Sequence, residues 1–137
     1  KFLSLDELLP DFQIDDYAFK PYGYSLNAIK GKQYFTIHVT PQEGSSYVSF
    51  AANIDLLAMA PKLLQIIKPA SFDLVSFNEL QFQSKVEQLI PEKYVAQTKV
   101  KDTLSNGAFV CFSNYILPAE HFSTPRALDL KIKNKAL

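Results

Sequence analysis

The sequence predicts an α+β fold in which an antiparallel β-sheet carries its helices on one face. Three observations support that class. Short segments of apolar/polar alternation recur along the chain, tight turns join most of them, and only three segments read as helices. Strands linked by tight turns pair antiparallel, and a sheet with one apolar face needs helices to cover that face.

The elements follow in order. "SLDELLP" predicts a short helix, because Ser4 and Glu7 have capping-box spacing and Pro10 stops the pattern. "FQIDDYAFKP" predicts a strand that ends at Pro21. "YGYSLNAIKGKQYFTIHVTP" predicts a hairpin with strands over 24–29 and 33–40. Gly31 and Lys32 are its two loop residues, with glycine at the first central position as a II′ turn requires. "PQEGSS" is a turn by composition, and "YVSFAAN" is a fourth strand with Tyr47, Ser49 and Ala51 on one face. "LLAMAPKLLQIIKP" has the spacing of an amphipathic helix; Pro61 is tolerated in a first turn, which places the start near Ala58 to Ala60. "SFDLVSF" reads as a strand and "SKVEQLIP" as a short helix. "EKYVAQTKV" and "AFVCFSNYIL" are strands separated by the turn signal "SNG". Residues 1–118 form one domain, and 119–137 are a polar C-terminal tail without periodicity.

Composition excludes some classes of function. With 137 residues, 47% of them hydrophobic, the chain can bury a full core. Fourteen basic and fourteen acidic side chains cancel, so nothing predicts nucleic acid or an anionic membrane as partner. No apolar run approaches the roughly 20 residues that span a bilayer, and the N-terminus lacks the order of a signal peptide. Cys111, the single cysteine, can form no internal disulfide, which fits a reducing compartment and a cytoplasmic location. The chain begins at Lys1 rather than Met and reads as a fragment or a processed chain.

The hairpin holds the first candidate chemistry. The II′ turn fixes the register so that Ser25 faces His38 and Asn27 faces Thr36 on one face, while Leu26 faces Ile37 and Ala28 faces Phe35 on the other. Ser25 and His38 form a non-hydrogen-bonded pair, the closer kind. By residue type alone the row is either a solvated strand face or a site. Glycine-rich phosphate loops, nucleophile elbows and Cys/His metal spacings are absent, and no metal is expected from His38 and His121. Asp15 and Asp16 are neighbours on a strand and point to opposite faces, so they read as surface carboxylates.

One resemblance bears on that choice. "FKPYGYSLNAIKGKQYFTIHVTPQEGSSYVSFAAN" resembles the core signature of eukaryotic S-adenosylmethionine decarboxylase, F-x-P-C-G-Y-S-x-N, Y-W-T-I-H-I-T-P-E and S-Y-V-S-F-E-T-N. The likeness extends through "LDELLPDFQIDDYAF" and "FDLVSF", covers most of Leu5 to Phe77, and rests mainly on "AFVCF" beyond Asn78. It implies one half of a four-layer α/β/β/α sandwich, the C-terminal half of the α chain of a self-cleaving proenzyme. It also implies a pyruvoyl group, made from a serine outside this chain, that forms a Schiff base with S-adenosylmethionine and acts as electron sink for decarboxylation. The product feeds spermidine and spermine biosynthesis. The partners implied are S-adenosylmethionine, the other half of the α chain and the β chain, and a dimer is compatible with the family.

Residue by residue, the resemblance gives Phe19 the role of stacking on the substrate adenine, and gives Ser25 and His38 roles in self-processing. Gln42 stands where the family has a glutamate that holds the ribose hydroxyls, and Phe77 keeps one aromatic position of the putrescine-activator site. Other positions depart from the pattern. Tyr22 replaces a cysteine; the proton-donor cysteine lies in the other half. Ala51 replaces a glutamate, and Gly107 a tyrosine, at the putrescine site, which argues against activation by putrescine. Two readings stay open: an active decarboxylase, and a catalytically inactive regulatory paralogue of the same family.

Overall fold

A computed structural model of the chain describes residues 7–118. Ser4 of the first expected helix lies outside them, as does the tail; 7–11 run as turns. The elements are β1 (Gln13–Ala18), β2 (Tyr24–Lys30), β3 (Gln33–Thr40), β4 (Tyr47–Ala52), α1 (Leu56–Ile67), β5 (Ser71–Phe77), α2 (Phe82–Leu89), β6 (Val95–Thr103) and β7 (Phe109–Ile116). All strand pairs are antiparallel.

The ladders divide the strands between two sheets. One is four-stranded in the order β1-β2-β3-β4, and the other is three-stranded in the order β5-β7-β6. The division falls where α1 separates β4 from β5, a distinction that alternation within each strand does not encode. Helix α1 starts earlier than Pro61 suggests. Asp55 caps it by accepting a hydrogen bond from the Ala58 amide at 3.1 Å, so Pro61 falls in the second turn. Its missing N–H leaves only the Leu57 carbonyl without its usual partner. Helix α2 begins two residues before "SKVEQLIP", at Phe82, whose buried ring anchors the first turn.

Each sheet turns one face inward. Leu26, Ala28, Phe35 and Ile37 are buried with Leu9 beneath the four-stranded sheet, and Leu56 and Met59 of α1 pack against them. Burying a leucine, isoleucine or phenylalanine stabilises by roughly 1.5–3 kcal/mol each. The second core joins Ala60 and Leu64 of α1, Phe82 and Val86 of α2, and Cys111 and Tyr115 of β7. Helix α1 therefore contributes to both. The opposite faces are left outward. On the four-stranded sheet that face carries Ser25, Asn27, Thr36 and His38; on the three-stranded sheet it exposes Val75, Phe77, Val95 and Val100.

Candidate functional site

The site is built on the β2–β3 hairpin, whose register is the one the turn predicts. Gly31 takes φ 62°, a value the II′ loop asks of its first central residue. Ser25 and His38 are Cα partners, and Ser25 Oγ lies 3.0 Å from His38 Nδ1. With Nδ1 protonated the imidazole donates to the hydroxyl; with Nδ1 bare the hydroxyl donates to the ring. No other hydrogen bond engages His38 among the described residues, so Nε2 is left with its capacity unused.

This pair opens into a cavity of about 430 Å³. Its lining includes Phe19, Tyr22, Gly23, His38, Thr40 and Pro41. Phe19 stands just past the end of β1, 50% exposed and outside both cores. Its amide donates to the Gly23 carbonyl at 3.0 Å, which carries the β1–β2 pairing one step past the last ladder residue. Gly23 has φ 128°, where a side chain is strained, and a Cβ there would meet the Phe19 ring at 3.5 Å. The tight turn and the placement of Phe19 therefore share one glycine.

Tyr24 also lines the cavity. Its hydroxyl donates to Asp16 Oδ2 at 2.8 Å. Burial and then that hydrogen bond push the phenol up to about 12, so it stays a neutral donor. Asp16 and Tyr24 are diagonal rather than direct partners across β1 and β2, so strand alternation does not single the pair out.

The remaining expected residues are dispersed. Gln42 is exposed in the turn after β3, with its carbonyl accepting from Ser45, and is not part of the cavity lining. Phe77 lies at the end of β5 in the other sheet, opposite Val110. Ala51 sits beside Thr36 on the outer face of β4. Gly107 has φ 84° in the β6–β7 turn, where its amide donates to the Leu104 carbonyl, so turn geometry accounts for a glycine there.

One aromatic residue was missed. Tyr17 pairs with Ser25 across β1 and β2 and lies two residues before Phe19, on the same face. Extending the hairpin register to β1 would have found it. Among the described residues no group of three or more His, Cys, Asp or Glu could hold a metal ion, and no helix is long and apolar enough to cross a membrane.

Comparisons with known proteins bear on the family and the fold. The family described as adenosylmethionine decarboxylase matches residues 1–116. An S-adenosylmethionine decarboxylase proenzyme from Catharanthus roseus is 32% identical over 134 residues, covering 91% of this chain and 37% of the relative. One from Dictyostelium discoideum is 41% identical over 79 residues, covering 56% of this chain and 21% of the relative. The chain thus spans little more than a third of the length of such relatives. Among solved structures, the Trypanosoma brucei AdoMetDC-delta26 monomer superposes with a TM-score of 0.70 at 28% identity, covering 85% of this chain and 51% of that one. With a family match over most of its residues and a shared fold, this chain belongs to the adenosylmethionine decarboxylase family.

Proposed function

We propose that this chain supplies one half of the active site of a pyruvoyl-dependent S-adenosylmethionine decarboxylase, and that it takes part in the self-processing that makes the pyruvoyl group. The observation that carries the reading is the 3.0 Å contact between Ser25 and His38 in the cavity that Phe19 borders. A flat aromatic wall suits a purine, and the neighbouring hydroxyl and imidazole suit proton transfer.

The two groups can act together in one arrangement. If Nδ1–H donates to Ser25 Oγ, the Nε2 lone pair is free to accept a proton, and the Ser25 hydroxyl proton is free to point at an oxyanion. Processing in this family begins with an N-to-O acyl shift at the cleavage serine, which develops an oxyanion. Ser25 would donate to that oxygen. The ester then eliminates: His38 takes the Cα proton as the ester carboxylate leaves.

The residues present fit a pyruvoyl group, because open volume adjoins polar donors and an aromatic wall. When bound, that group supplies the electron sink for loss of carbon dioxide. Phe19 would orient the adenosine, while Ser25 and His38 hold polar groups beside the reacting end. The exposed Val75, Phe77, Val95 and Val100 on the outward face of the three-stranded sheet support packing against the other half of the α chain, as a four-layer sandwich requires. A cytoplasmic location and a place in spermidine and spermine synthesis belong to the same reading.

The experiment is expression of the full-length precursor with His38→Ala or Ser25→Ala, separation of cleaved from uncleaved chains by mass, and treatment with hydroxylamine. That reagent cleaves an accumulated ester and spares an amide. The His38 variant is expected to accumulate ester, and the Ser25 variant to stall earlier with little of it. Normal cleavage of the His38 variant would reject its role as base. A second reading, the inactive regulatory paralogue, is favoured by Gln42 lying outside the cavity lining and by Tyr22 in place of cysteine. A wild-type precursor that never cleaves would select it.

A further inference from the structure

We infer that Tyr17 is a positioning residue for the adenine platform, acting through Phe19; the inference rests on the reading of Phe19 as that platform. The Tyr17 and Phe19 rings meet edge-on, with centroids 4.9 Å apart and an interplanar angle of 73°. That geometry is the favoured one for two aromatic quadrupoles. Both rings are largely in solvent, Tyr17 65% and Phe19 50% exposed, and neither belongs to a core.

A half-exposed phenylalanine at a strand end, without a neighbour, would sample several rotamers. A stacking surface needs one. Tyr17 is held on the ladder opposite Ser25, so its backbone is fixed against the strand that carries Ser25 of the Ser25–His38 pair. Its edge-on contact holds Phe19 at a defined tilt to the cavity. Orientation is therefore set by a side chain that is not itself part of the cavity lining. The Tyr17 hydroxyl makes no hydrogen bond among the described residues, so the ring, and not the hydroxyl, carries the effect.

The test uses the processed full-length protein with Tyr17→Leu, Tyr17→Phe, Phe19→Leu and the Tyr17→Leu/Phe19→Leu pair. Affinity for 5′-methylthioadenosine is measured directly, with KM and kcat alongside. That probe carries the adenosine but no reacting carboxylate. Tyr17→Leu is expected to weaken the probe about two- to tenfold, as loss of an aromatic pair implies. The change should fall in KM rather than kcat, and Tyr17→Phe should restore it. In the Phe19→Leu background Tyr17→Leu should cost nothing more, because the residue acts through Phe19. Unchanged affinity in Tyr17→Leu, with a loss in Phe19→Leu, would overturn the inference and leave the platform standing. Unchanged affinity in Phe19→Leu would overturn both. Additive losses, or a Tyr17→Phe as weak as Tyr17→Leu, would also overturn it, the latter by moving the effect to the hydroxyl.

Discussion

At the scale of single residues, the site divides into what pairing arithmetic reaches and what it does not. Ser25 and His38 were legible because a two-residue turn leaves one register, and their outcome is a 3.0 Å contact. Gln42 was placed by resemblance alone, and the structure sets it in an exposed turn outside the cavity lining. Phe19→Ala should leave the folded state nearly as stable, since the residue is half exposed and belongs to neither core. It should weaken adenosine binding by the roughly 1–3 kcal/mol that stacking on a base contributes; equilibrium binding together with a melting curve checks both halves. Tyr24 gives a pH prediction. Burial and the Asp16 hydrogen bond raise it from 10.0 to about 12, so the folded state keeps a proton that the unfolded chain releases. The stability this contributes is complete below pH 10 and is lost as pH rises towards 12. Denaturation midpoints across that window should fall less steeply in Tyr24→Phe than in the wild type. Burial raises Tyr94 and Tyr115 as well, so part of the alkaline loss should persist in that variant.

At the scale of elements, alternation located every strand that the structure describes, and β3 and β5 at their full extent. The errors lie at both helix starts, in 7–11, which run as turns, and at β6, which spans Val95–Thr103 rather than 92–100. Pro61 was given more weight than Asp55, although a proline inside a helix removes one amide donor while an N-cap satisfies one that would otherwise be orphaned. Asp55→Ala should therefore destabilise α1 by about 1 kcal/mol, read from denaturant midpoints, with Asp55→Asn recovering most of it. The split into two sheets was not legible either. Which strand edges pair depends on where a helix intervenes, and no single strand records that.

At the scale of the molecule, both sheets leave a mixed face outward. One presents Ser25, Asn27, Thr36 and His38 among the exposed Tyr17, Ile29, Tyr34 and Tyr47, and the other presents Val75, Phe77, Val95 and Val100 beside the Asp73–Asn114 hydrogen bond. If the outward face of the three-stranded sheet packs against the other half of the α chain, Val75→Lys in the full-length protein should forfeit at least the roughly 1.5–3 kcal/mol of a buried valine and lower the melting temperature. A melting temperature equal to wild type would mean that Val75 faces water.

Helix α1 packs Leu56 and Met59 into one core and Ala60 and Leu64 into the other, and among the described residues no strand ladder joins the two sheets. That arrangement sets how the fold comes apart. If either sheet opens, α1 loses one side of its packing, and a twelve-residue helix is marginal alone in water. Its amides should then exchange no more slowly than those of the less stable sheet, and α1 sets how far the two sheets melt as one cooperative unit.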